Sequence, residues 1–295
     1  MSENLPPYLL AFGAGAFYAL SALLCKRGLE LGAGTIRSLV FSNWIMAMFF
    51  IPFPFIEGSL PVLEDIQAGV MLGGIFFISQ ATCFLALKKG DASMIIPIMG
   101  SKSIFVASFV LFFDLTGTPS AETWIATALT AIAVCLIAWP KNGLKPSYLA
   151  ISLGLLTAAG FGLTDALVPE LAQKNSPAHV IFSMFWTVGL SSFLLLPLVE
   201  GRLIRFNGKS DKWMLLSCIP MGLQAVLMSV AIGFHQVPAE ANVFYACRGI
   251  WAIVLTAWLG KKIGLLEGQA GKAVFSRRLL GSTLLVIGIY FTPIG

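Results

Sequence analysis

Charge is what this chain has least of. Only 11% of its 295 residues are Asp, Glu, Lys or Arg, against about 25% in soluble domains. Hydrophobic residues make up 57%, and the mean hydropathy is +0.87. That balance excludes an ordinary soluble domain and leaves an integral membrane protein. Histidine is nearly absent. His179 and His235 stand far apart with no clustered ligand-type side chains beside them, so no metal centre and no cofactor are expected. The five cysteines, Cys25, Cys83, Cys135, Cys218 and Cys247, form no CxxC and all fall within apolar runs, where they read as small buried hydrophobes. There is no GxxxxGK[ST], which argues against an ATP-driven pump. The acid or histidine clusters of a membrane-embedded transferase are missing as well, so the chain reads as a non-enzyme. Met1 to Pro7 has no basic n-region, and a cleaved signal peptide is not expected.

What the chain does have is apolar runs near the ~20 residues that a helix needs to cross ~30 Å of hydrocarbon. They are Tyr8–Cys25, Ser38–Ile56, Ile66–Leu87, Ala92–Phe113, Trp124–Trp139, Tyr148–Val168, Val180–Val199, Trp213–Phe234, Ala241–Leu259 and Leu279–Ile294. The fifth and tenth are short and span only with flanking residues or local thinning. The net charge of +5 is explained by where the cations lie rather than by nucleic acid. The odd-numbered loops hold sixteen of them, whereas the opposite side, both termini included, holds only Lys174. By the positive-inside rule the odd-numbered loops are cytoplasmic, and both termini are non-cytoplasmic. The expected location is a cell (inner) membrane, crossed many times, with the chain as a monomer or a homodimer.

Three ionisable side chains fall inside the runs: Lys102, Asp165 and Arg248. Lys102 is centred in the fourth run and Arg248 in the ninth, too deep to reach an interface. A cation at that depth costs roughly 2.5–3.5 kcal/mol on insertion scales, so each should face a partner, a polar cavity or a ligand. Sliding the chain by about 146 residues places Arg248 on Lys102 and Trp251 on Phe105. An odd five spans per repeat makes the second copy inverted, an arrangement that sets a transporter's site near the midplane. The expected architecture is therefore all-α, ten transmembrane helices in two inverted five-helix repeats, residues 1–143 and 144–295.

One acid cannot neutralise two cations, so positive charge remains for a ligand. The competing reading makes the cations structural ion pairs. Arg248 offers a planar fork suited to carboxylate or phosphate, and Lys102 a movable point charge. Tyr245 and Phe105 should share the faces of Arg248 and Lys102, each being three residues from its cation. Gln80 and Gln224 are candidate substrate contacts, or else interhelical hydrogen-bonders. Asp165 is either a gating or proton-coupling carboxylate or a residue of the outer interface. Gly69-x-x-x-Gly73 reads as a close-packing seam.

The chain resembles the drug/metabolite transporter superfamily in its ten-helix EamA-like branch. The likeness lies in the length, the ten short-looped helices, the five-plus-five duplication and the Ala-Leu-x-x-Gly-Asp-Ala-Ser stretch from Ala86 to Ser93. It implies a secondary carrier with helices 1–4 and 6–9 lining the cavity and helices 5 and 10 peripheral. Phosphorylated-sugar and nucleotide-sugar relatives use basic residues on helices 4 and 9, the positions of Lys102 and Arg248. The family usually keeps both termini in the cytoplasm, opposite to the charge bias here. The expectation is a carrier of a small anionic or zwitterionic metabolite working by alternating access, with a proton or counter-substrate as coupling partner. The alternative is a broad exporter of amino acids or drugs.

Overall fold

The structure is a computed structural model that describes residues 6–89, 98–99, 101–115, 119–138, 148–199, 201–204, 208–260, 262–264 and 272–292. Its elements are α1 (Pro7–Glu30), α2 (Thr35–Phe49), the short α3 (Phe53–Ile56), α4 (Leu63–Lys89), α5 (Lys102–Phe112) and α6 (Ala121–Ala138). There follow α7 (Tyr148–Lys174), α8 (Pro177–Ser191), α9 (Gly208–Ser229), α10 (Pro238–Tyr245), α11 (Arg248–Leu259) and α12 (Lys272–Phe291). Among the described residues no strand occurs. Among the described residues, seven helical stretches are long and apolar enough to cross a membrane: Pro7–Glu30, Thr35–Ile56, Leu63–Cys83, Tyr148–Lys174, Pro177–Leu198, Gly208–Phe234 and Pro238–Leu259. Three shorter apolar helices, Lys102–Phe112, Ala121–Leu136 and Leu280–Phe291, accompany them. The outer surface carries Phe55, Phe112, Leu194, Trp258 and Tyr290, all exposed. So much apolar surface belongs against lipid, not water. The protein is an all-α, membrane-embedded chain.

Lipid tails are as apolar as leucine, so close packing must hold such helices together. The Gly69/Gly73 seam does this. A Cβ on Gly69 would lie 2.8 Å from the Met184 nitrogen, and one on Gly73 would lie 2.5 Å from the Met184 oxygen. Together with Asp65 against His179, these contacts advance along both helices in step, so α4 and α8 run parallel. α2 and α9 are also parallel, since Arg37 meets Asp211 and, further on, Phe49 meets Gly222. α2 and α8 are antiparallel, because Ala47 faces Gly189 while the earlier Asn43 reaches the later Ser192. The core gathers where these helices cross, with Phe50 stacked on Phe185 at 4.0 Å between centroids. Gly69→Val or Gly73→Val should each cost about 1–3 kcal/mol through overpacking against backbone. Gly74, whose Cβ would meet nothing within 4 Å, should accept Ala. Thermal unfolding in detergent checks all three.

Some helix breaks coincide with a proline and others do not. α8 gives way to a 3₁₀ segment, Ser192–Leu198, which contains Pro197, while Pro169 and Pro220 lie inside α7 and α9. Pro97, a residue type that kinks or ends helices, lies outside the described residues. α9 ends in a π-turn, Val230–Phe234. The ninth run is interrupted at its middle. Cys247 N donates to the Phe244 oxygen, Gly249 N to that of Ala246 and Ile250 N to that of Cys247, all i→i−3 bonds that tighten the chain just around Arg248.

Candidate functional site

Both cations stand at the first residue of a helix, Lys102 opening α5 and Arg248 opening α11. Each is approached by a glycine from a helix of the other half. A Cβ on Gly15 of α1 would come within 3.1 Å of the Arg248 nitrogen, and one on Gly162 of α7 within 3.3 Å of the Lys102 oxygen. Three residues beyond each glycine stands the cation's side-chain partner. Lys102 Nζ pairs with Asp165 Oδ2 at 2.6 Å. The Arg248 guanidinium instead lies over the ring of Tyr18 at 4.9 Å.

Tyr245 joins the two cations. Its ring centroid is 4.7 Å from the Arg248 guanidinium carbon and 5.9 Å from Lys102 Nζ, and its hydroxyl donates to Gln224 Oε1 at 2.9 Å. Asn242 Nδ2 donates to Asp165 Oδ2 at 2.8 Å and to the Pro238 oxygen at 2.8 Å. Lys102, Ser103, Thr130, Val134, Asn242, Tyr245, Ala246 and Arg248 line one small cleft between the halves, closed down to about the space of one water. Within it the Ser103 and Thr130 hydroxyls are buried with no hydrogen-bond partner among the described residues. Among the described residues no carboxylate lies within 4 Å of Arg248. With one acid against two cations, the cleft keeps a formal excess of positive charge that aromatic faces, not an anion, accommodate.

The structure thus brings together Lys102, Arg248, Tyr245, Gln224 and Asp165. Gln80 lies apart, exchanging hydrogen bonds with Asn43 of α2 at 3.0 and 3.2 Å, the interhelical alternative. Phe105 packs at the Gly162 contact and stacks along α5 on Phe109. Trp251 meets Phe12 of α1 edge-on at 5.4 Å. Asn242, Ser103 and Thr130 escape sequence reasoning, as neutral polar residues in apolar runs are common. Thr130 and Val134 also bring α6 to the cleft, although the resemblance puts the fifth helix at the periphery.

No family model and no curated protein matches this chain. A solved structure described as "Crystal structure of protein" superposes with a TM-score of 0.76, covering 97% of this chain and 97% of its own at 15% identity. At that identity the likeness is one of fold.

Proposed function

We propose that this chain is a secondary carrier for a small anionic or zwitterionic metabolite, built as two inverted five-helix repeats, 1–143 and 144–295, with ten spans. The observation that carries the reading is the cleft's excess cation: among the described residues, Arg248 has two tyrosine faces and no acid within 4 Å. The unpartnered Ser103 and Thr130 hydroxyls beside it suit a ligand rich in acceptor oxygens. Support for the repeat comes from the contacts above. Gly15 and Gly162, Tyr18 and Asp165, and Lys102 and Arg248 are each separated by about 146 residues, and each pair plays the same part on opposite sides of the cleft. A metabolite site needs roughly 300 Å³ or more, so loading takes place in a conformation more open than this one, as alternating access requires. The tyrosine faces favour, as a second reading, an exporter of amino acids or drugs.

A thermal-stability screen of the purified protein against phosphorylated metabolites, carboxylates, amino acids and cationic drugs separates these. Stabilisation confined to anions or zwitterions is expected, since a ligand bound only by the folded state raises its stability by mass action. Stabilisation by cationic drugs alone sinks the anion reading. For orientation, a reporter fused after Gly295 should be active only in the non-cytoplasmic compartment. Cytoplasmic activity would reverse the orientation and leave the fold standing.

A further inference from the structure

The cleft is closed too far here to hold a metabolite, yet its charge is not balanced. Among the described residues Asp165 alone answers Lys102 and Arg248, and it is already engaged by Lys102 at 2.6 Å and by Asn242 at 2.8 Å. Glu240, the other acid near it on α10, accepts from Thr123 Oγ1 at 3.1 Å and is not among the residues that line the cleft. The ring faces of Tyr18 and Tyr245 lessen the cost of drawing the Arg248 cation out of water but cancel none of its charge. A desolvated charge is disfavoured unless it is paired. The closed cleft therefore calls for one more negative charge.

Two hydroxyls indicate what kind of charge. Elsewhere in the bundle a helical hydroxyl bonds back to the carbonyl one turn earlier: Ser79 to Ile75 at 2.7 Å, Thr157 to Leu153 at 2.8 Å, Thr164 to Gly160 at 3.0 Å and Thr187 to Ser183 at 2.7 Å. Ser103 and Thr130 line the cleft beside the cations, are 4% and 1% exposed, and have no such bond among the described residues. For Ser103 the cause is local, since it is the second residue of α5 and has no full helical turn before it. Each hydroxyl can donate one hydrogen bond, and buried polar groups are ordinarily bonded. A water would satisfy the hydroxyls and leave the charge standing. The space between them is about that of one water. A single-atom anion, little larger than water, fits it with small side-chain adjustments, whereas a carboxylate or phosphate does not.

We propose that the closed cleft binds one chloride ion, held by the Arg248 guanidinium and the Ser103 and Thr130 hydroxyls, with Lys102 as a second cation shared with Asp165. The ion cancels the excess charge while the cleft is shut, and the anionic group of a metabolite replaces it when the cleft opens. That replacement rests on the carrier reading, but the chloride site does not.

The test uses the purified full chain in detergent, with sodium chloride, bromide or gluconate at equal ionic strength. Chloride and bromide should raise the unfolding midpoint saturably over gluconate, as a ligand of the folded state does. Thr130→Val and Ser103→Ala should each raise the half-saturating chloride concentration at least about tenfold, the size expected from losing one hydrogen bond to a charged group. Arg248→Gln should abolish the response. Thr187→Val, which removes a hydroxyl already bonded to Ser183, should keep it. Crystals soaked in bromide should show an anomalous peak in the cleft beside Arg248. Equal midpoints in chloride and gluconate overturn the inference. So does a chloride response unchanged in Arg248→Gln, Ser103→Ala and Thr130→Val alike, or bromide found only elsewhere. If Arg248→Gln does not fold, the two hydroxyl variants decide, because they remove no charge. A metabolite that stabilises the protein where chloride does not sinks the chloride site and keeps the carrier reading; a chloride response with no stabilising metabolite does the reverse.

Discussion

Asp165→Asn should destabilise the protein by about 3–5 kcal/mol, toward the low end of that range. Removing one partner of a buried pair leaves the other charge uncompensated, and that residual charge is the main cost. Lys102 Nζ sits 2.6 Å from Asp165 Oδ2, with 17% and 12% of the two side chains still accessible, which relieves part of it. The asparagine would also turn an amide toward Asn242, which now donates to the carboxylate. Joint replacement, Asp165→Leu with Lys102→Met, should recover most of the loss, because swapping a whole buried pair for apolar side chains is often neutral. Thermal unfolding of the single variants and the double variant closes the cycle. A double variant as unstable as the singles would mean that Asp165 acts through something other than Lys102. If Asp165 also couples protons, the asparagine variant should lose gradient-driven uptake and keep exchange at equal pH.

The residues that the sequence made conspicuous were those whose placement costs most. A lysine, an arginine and an aspartate inside apolar runs stand out because each must be compensated, and all three meet at one cleft. Which cation takes the acid was not legible, since run positions do not fix helix rotation; the structure gives Asp165 to Lys102 and Tyr18 to Arg248. The buried pairs of Arg37, Asp65, His179 and Asp211 were hidden for another reason. They lie at the borders of the apolar runs, where a charged residue reads as loop, and Arg37 in particular looked like one more cytoplasmic cation. Only long-range packing reveals that it is 3% exposed and bonded across the halves. Gly15 and Gly162 were likewise indistinguishable among 29 glycines until the backbones they admit were seen.

Lys102→Gln and Arg248→Gln should each weaken an anionic ligand by on the order of 2–5 kcal/mol, the cost of losing one partner of a desolvated charge pair. Arg248 should show the larger effect. Lys102 already shares its charge with Asp165, whereas Arg248 lies against tyrosine faces at 4.9 and 4.7 Å, with no carboxylate within 4 Å among the described residues. Arg248→Lys should restore part of the affinity, because a point charge replaces a two-pronged donor. Membrane insertion should be no worse in Arg248→Gln, since the glutamine removes a costly buried charge, whereas Lys102→Gln leaves Asp165 without its cation and should lose stability as well as affinity. Added salt should weaken wild-type binding only modestly, as bulk ions screen buried charges far less than surface ones.

The most direct measurement is counterflow in proteoliposomes, with the anion or zwitterion that best stabilises the protein loaded inside and its labelled form added outside. The account predicts saturable uptake that depends on the internal load, that is lost in Arg248→Gln and that is partly recovered in Arg248→Lys. Uptake that ignores the internal load, or that persists unchanged in Arg248→Gln and Lys102→Gln alike, would contradict it.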